Sequence, residues 1–206
     1  MERGIFISIE GPDGSGKSTQ IAAIEKYFEE KGHKVLLTRE PGGTQISEKI
    51  RELLLDKANS EMDPMAEALL YAASRAQLVS QVIKPALDEG INVICDRFVD
   101  SSIAYQAYGR GLGDSVAVIN AYAVRDCMPD VTFLMKLNPA IGKSRIASDA
   151  QDRIEMEKID FHNRVFAGYE AIELEYPDRV VGIDATEDIE TISSEIIAKL
   201  ERLLER

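Results

Sequence analysis

The segment Gly11-Pro12-Asp13-Gly14-Ser15-Gly16-Lys17-Ser18 narrows the possible folds of this chain more than any other. It fits G-x-x-x-x-G-K-[ST], follows an apolar run from Ile5 to Glu10, and opens a pattern with Ile21, Ile24 and Phe28 on one helical face. At the residue frequencies of this chain, about 0.005 such matches arise by chance. Glycines allow backbone conformations that turn successive N–H groups inward, and the helix N-terminus adds partial positive charge. Gly11 to Ser18, with Thr19 behind, therefore read as a phosphate cradle. Lys17 can reach the β- and γ-phosphates of a nucleotide, and the Ser18 hydroxyl suits Mg²⁺.

Short apolar runs alternate with longer helical patterns along the rest of the chain. Lys34 to Thr38, Ile91 to Asp96, Val131 to Leu137 and Arg179 to Asp184 read as further strands. Helical patterns cover Ser47 to Ala58, Met65 to Glu89 and the charged stretch Ile141 to Tyr176, with Gly90 closing the second. A final helix carries Ile189, Ile192, Ile196, Leu200 and Leu203 as one apolar stripe. Strands separated by helices pair in parallel through right-handed crossovers, which gives a three-layer α/β/α fold on a five-stranded parallel sheet. Neither a repeat nor a linker interrupts the pattern, so residues 1–206 read as one domain, with excursions near 39–75 and 141–160 as flaps.

The balance of 24 Lys+Arg against 36 Asp+Glu leaves a net charge of −12. Such a surface repels nucleic acid and anionic membranes, yet a few cations focused in one cleft can still bind a small anion. Two cysteines, Cys95 and Cys127, are too few for a disulfide scaffold and fit reduced thiols. No secretory leader and no run of about 20 apolar residues is present, so a cytoplasmic protein is expected.

Asp96 ends an apolar strand at the edge where ligands gather, and is a candidate to hold Mg²⁺. Glu10 ends the first strand in the same way and is either metal-side or an ordinary strand end that caps the next turn. Arg39, Arg51, Arg75, Arg97 and Arg153 fall between strands, where a guanidinium can grip a phosphate in bidentate fashion or pair with a surface carboxylate. Arg97 directly follows Asp96 and so starts from the sheet edge. Tyr71 and Arg75 are four residues apart and share a helical face. The pair is either core or a base reader. The segment RFVDSSIAYQAYGRG after Asp96 reads either as a loop whose hydroxyls, amide and tyrosines suit a polar ring and sugar, or as a helix cap at Ser101 or Ser102. His33 and His162 show no metal-ligand spacing and read as surface residues. No N-K-x-D guanine reader occurs.

The set FISIEGPDGSGKST, TREPGGT, LLYAASR, DRFVDSSIAYQ and DRIE resembles the bacterial thymidylate kinases over nearly the whole chain. The resemblance implies a P-loop nucleoside monophosphate kinase fold, usually dimeric, that phosphorylates dTMP with ATP and Mg²⁺. By motif, Asp13 takes the 3′-hydroxyl side of the acceptor, and Arg51 and Arg97 grip its phosphate. Tyr71 stacks on thymine, Arg75 bonds a thymine carbonyl, Ser102 and Gln106 read the base edge, and Tyr105 crowds the 2′ position. Two departures stand out. Tyr71 replaces a common Phe, so its hydroxyl needs a partner or water. Gly14 stands where one branch of the family has an arginine, and the branch without it supplies cations from the flap. Here the flap offers Lys143, Arg145 and Arg153, diluted by Asp149 and Asp152, with Arg153 the first candidate for the transition-state cation and Arg145 the second. Rival readings are a kinase for dUMP, dGMP or CMP, and a P-loop switch that hydrolyses ATP slowly.

Overall fold

The structure is a computed structural model that describes residues 3–145 and 152–204. Five strands, β1 (Phe6–Glu10), β2 (Val35–Arg39), β3 (Asn92–Asp96), β4 (Val131–Lys136) and β5 (Val180–Asp184), form one parallel sheet in the order β2-β3-β1-β4-β5. The three inner strands are covered on both faces, which is why their sequences run apolar without alternation. Successive side chains still part company. Ile7, Ile9, Ile94, Phe133 and Met135 enter one core, while Phe6, Val93, Cys95 and Leu134 enter the other side.

The first face is covered by α1 (Lys17–Glu30) and α9 (Ile189–Leu204), which bring Ile24, Phe28, Ile192, Ile196 and Leu200. The second is covered by α3 (Pro64–Leu78), α4 (Lys84–Asp88) and α8 (Ile159–Glu175). Helix starts follow local chemistry. Thr44 caps α2 (Gln45–Leu55) by accepting from Ser47 N at 3.0 Å. Asp63 accepts from Met65 N and Ala66 N ahead of Pro64. Asn138 caps α7 (Pro139–Ser144) with Pro139 at its first position.

The expected strands lie within one residue of those observed, whereas the helices depart in four places. The long pattern ending at Glu89 is α3, a π-helical turn over Val79–Ile83, then α4. Pro85 lacks an N–H and its ring crowds the carbonyl one turn earlier, so the wider turn relieves that clash. The segment after Asp96 is not a loop. It is α5 (Val99–Ser102) running into a π-helical stretch over Ile103–Gly109. A further helix, α6 (Ser115–Val124), had no sequence signal, because SVAVINAYAV is apolar all round and rich in β-branched residues. The charged stretch after β4 divides into α7 and α8. The middle of the expected flap, 146–151 with Asp149, lies outside the described residues. No helix among the described residues is long and apolar enough to cross a membrane.

Candidate active site

The sheet order reverses at β1, and the crevice at the carboxyl ends of its strands is where α/β sheets bind ligands. A cavity of about 480 Å³ opens there. Its floor is the loop after β1, through Asp13, Gly14, Gly16, Lys17, Ser18 and Thr19. Gly16 adopts φ 89° as it caps α1, and Gly14 adopts φ 77°. A Cβ on Gly14 would also sit 2.5 Å from the Gly142 carbonyl oxygen, so the start of α7 lies directly on the loop. That contact leaves no room for an arginine at position 14. Gly11, Pro12 and Ser15 shape the loop from behind and do not line this cavity.

The Lys17 ammonium donates to the carbonyls of Gly11 at 3.2 Å and Pro12 at 3.1 Å. Burial draws it down to about 8, helped by Arg97 and resisted by Asp13 and Asp96. Arg97 stands in the left-handed region at φ 67°, a backbone strain of about 1–2 kcal/mol for a side chain of this kind. The bend turns its guanidinium back over the end of β1. It donates to Asp13 at 2.7 Å, and to Ser101 and the Tyr169 hydroxyl, each at 3.2 Å, and it lies over the Tyr105 ring at 5.3 Å. Burial pushes Asp13 upward, but Arg97 and Lys17 outweigh it and hold the carboxyl at about 2.

The two acidic strand ends part ways. Asp96 lines the cavity, and its buried Oδ1 has no hydrogen-bond partner among the described residues. An orphaned carboxylate oxygen in the cavity that Ser18 also lines fits a hard cation such as Mg²⁺. Glu10 is instead consumed by the protein. It accepts from Phe98 N at 2.6 Å, from the Tyr169 hydroxyl at 3.0 Å, and from Ser8 and Ser101. Its burial, with Asp100 nearby, pushes its carboxyl up. Among the described residues no group of three or more His, Cys, Asp and Glu gathers as a metal cluster.

Across the cavity, Tyr71, Arg75, Ser102, Tyr105, Gln106 and Arg51 converge as the sequence suggested. The Tyr71 hydroxyl has no partner among the described residues. Arg75 is 1% exposed and fully engaged. Its Nε donates to Glu40 at 2.7 Å, Nη2 to the Phe98 carbonyl at 3.0 Å, and Nη1 to Ser102 at 2.9 Å and to Asn120. Burial raises the Glu40 carboxyl to about 7 against the pull of Arg75. A ligand carbonyl reaching Arg75 must therefore share an N–H already in use. Ser102 Oγ accepts from Arg75, which leaves its own proton to donate. Arg51 donates to the Pro41 carbonyl at 2.8 Å from the cavity wall. Arg39 pairs with Glu48 at 3.0 Å on the exposed rim. His162 is half-buried rather than on the surface, and burial lowers its pKa, as does Lys143.

The flap cations need a correction. Arg153, the first candidate for the phosphates, is buried away from them. It donates through Nε to the Leu54 carbonyl at 2.8 Å, and its Nη2 lies 2.7 Å from Glu67 as an ion pair without hydrogen-bond angles. The carboxylate outcompetes solvent for it, because Glu67 is fully buried and needs cations. Arg145, the second candidate, donates to the Gly14 carbonyl at 3.0 Å and lines a separate groove with Ser15, Thr19, Met135 and Ala185. Lys143 donates to the Glu157 carbonyl at 3.0 Å. Sequence reasoning missed that groove, and it missed Glu40, Glu67, Asn120 and Tyr169. Glu67, Tyr71 and Arg75 stand at intervals of four, so one more turn of the same helical face would have exposed Glu67.

The thymidylate kinase family profile matches residues 9–196. A thymidylate kinase from Exiguobacterium sp. is 48% identical over 94% of this chain and 92% of its own length. One from Lactobacillus delbrueckii subsp. bulgaricus is 52% identical over 91% of each chain. The crystal structure of thymidylate kinase from Ehrlichia chaffeensis superposes with a TM-score of 0.79 at 34% identity, covering 97% of this chain and 99% of that one.

Proposed function

The chain belongs to the thymidylate kinase family, and from that premise we propose how its cavity carries out the transfer of a phosphoryl group from ATP to dTMP. One observation supports the reading above all: a single cavity joins the Lys17 loop to the cluster of Tyr71, Arg75, Ser102 and Gln106. Two anionic nucleotides thereby meet end to end, the donor on the loop and the acceptor opposite.

The backbone N–H groups at the start of α1 and the Lys17 ammonium receive the donor phosphates. The groove through Thr19, Met135 and Ala185 is where the donor base lies. On the acceptor side, the Arg97 and Arg51 guanidinium groups hold the dTMP phosphate, and Asp13 takes the 3′-hydroxyl. Tyr71 stacks on the base, Ser102 donates to a ring carbonyl that Arg75 also polarises, and Tyr105 walls off the 2′ position. Arg145, already on the Gly14 carbonyl, is the flap cation nearest the phosphates. Ser18 and Asp96 are the side chains that would hold Mg²⁺, which when bound supplies positive charge to the phosphate oxygens.

The acceptor oxygen is already anionic, so the reaction needs no strong base. Its barrier is the repulsion between two polyanions and the charge spread over the equatorial oxygens. Lys17, Arg97 and Arg145 offset that charge from fixed positions, where it develops rather than after solvent has rearranged. We place the enzyme in the cytoplasm, where ATP is made available. We also infer a homodimer, formed through Val118 and Tyr122 of α6 and the neighbouring Leu69 of α3, which stand exposed together at 59%, 79% and 50%. The decisive assay is coupled detection of ADP with Mg²⁺·ATP. ADP release that depends on dTMP supports the kinase, whereas equal release without a monophosphate points to a hydrolytic switch.

A further inference from the structure

Glu67 is a carboxylate with 0% exposure, and three side chains converge on it. Arg110 donates through Nε at 3.1 Å and Nη2 at 3.0 Å, Arg153 stands 2.7 Å away, and Gln106 donates through Nε2 at 2.9 Å. Burial pushes the carboxyl up, but the bonds from Arg110 and Gln106 outweigh it and keep the group ionised. An ionised carboxylate only accepts, so the Gln106 amide must present its NH₂ to Glu67. The amide is planar, and its oxygen is thereby turned to the opposite side. That oxygen has no hydrogen-bond partner among the described residues, and Gln106 lines the acceptor cavity.

We propose that Glu67 is a positioning residue for base selectivity. By fixing the Gln106 carboxamide with its oxygen toward the cavity, it favours a pyrimidine that carries a proton on N3 over one that does not. Thymine and uracil donate from N3, whereas cytosine offers a bare nitrogen there and sets acceptor against acceptor. A site built to bond one polar group rejects a ligand lacking it far more strongly than shape alone does. Turning Gln106 around to suit cytosine would bring its carbonyl against the Glu67 carboxylate. The inference rests on Gln106 reading the base edge, as proposed above.

The test is Glu67→Gln, whose amide can either donate or accept and so frees Gln106 to turn. The expected outcome is at least a tenfold fall in the ratio of kcat/KM for dTMP over dCMP. The ratio of dTMP over dUMP should stay within twofold, because both bases carry the N3 proton. Glu67→Asp keeps the charge for the two arginines while withdrawing it from Gln106, and it repeats the measurement should the first variant not fold. A merely structural Glu67 would lower turnover on every monophosphate alike, and an unchanged dTMP over dCMP ratio overturns the proposal. Gln106→Ala separates the layers. If it leaves KM for dTMP at the wild-type value, the base-edge reading itself fails. If it raises that KM while the Glu67 variants keep their selectivity, only the positioning role fails.

Discussion

At the scale of single residues, the site is governed by charges held where water does not reach. The Lys17 ammonium, brought down to about 8, loses its proton as pH rises through that value in the free enzyme. Between there and its ordinary value the unfolded chain holds the extra proton, so this group lets stability rise with pH across that window. Bound polyphosphate restores the proton. At pH 8, ATP binding should therefore take up about half a proton, read by calorimetry as a binding enthalpy that varies with the ionisation enthalpy of the buffer. A buffer-independent enthalpy would contradict it. The two flap arginines separate in the same terms. Arg145→Ala should lower kcat by about 10²–10³-fold with little change in the urea midpoint, as loss of one transition-state charge does. Arg153→Ala should instead cost roughly 1–3 kcal/mol of stability by taking from buried Glu67 one of its two cations, Arg110 remaining, with kcat much less affected. The reverse pattern in paired kinetics and denaturation would restore Arg153 to the phosphates. The sequence reading put Arg153 ahead of Arg145 because nothing in the motif reveals the buried Glu67 with which Arg153 pairs. A lone glutamate among PMAEALLYAASR reads as part of a solvated face.

At the scale of elements, legibility followed burial. The three inner strands were plain because burial on both faces turns them into unbroken apolar runs, and the edge strands β2 and β5 because short apolar runs stand there between helical patterns. The cradle was equally plain, since its glycines and Lys17 have fixed places relative to β1 and α1. What stayed hidden was whatever departs from a single period. The π-helical stretch Ile103–Gly109 carries Tyr105 and Gln106, which both line the cavity, and its wider turn answers to no 3.6-residue period. Helix α6 hid for the opposite reason, having no polar face to mark its period. The close approach between α7 and the loop gives a sharper test. A Cβ on Gly142 would fall 2.4 Å from the Asp13 carbonyl oxygen, backbone against backbone. Gly142→Ala should thus displace the loop by a fraction of an ångström and lower kcat/KM for ATP by about 10-fold or more. Unchanged ATP kinetics in a folded Gly142→Ala protein would show that the loop tolerates the shift.

At the scale of the whole molecule, an acidic chain concentrates its useful cations in one cleft. The net charge of −12 is spread over a surface that keeps polyanions at a distance, while Lys17, Arg51, Arg75 and Arg97 all face the cavity. The largest apolar exposures among the described residues lie elsewhere, at Leu174 and at Tyr122 of α6. If α6 forms the contact between copies, Tyr122→Asp should convert a dimer to a monomer in sedimentation velocity at micromolar concentration, because a buried unpaired carboxylate opposes association. A wild-type protein that sediments as a monomer would remove that interface. The fold class was legible at this scale from alternation alone, but the surface between copies was not, since core and contact helices share the same composition.

The order β2-β3-β1-β4-β5 also acts as a ruler. Met135 of β4 and Ala185, just after β5, line the groove proposed for the donor base, while Arg39 and Asp96 end β2 and β3 beside the cavity proposed for the transfer. Neighbouring strands stand about 4.8 Å apart, a spacing fixed by peptide geometry and beyond the reach of side-chain exchange. The gap over which the phosphoryl group must travel is thus graduated by the sheet itself. Either outer mark can be re-cut to suit a different sugar or ring without changing the distance at the middle.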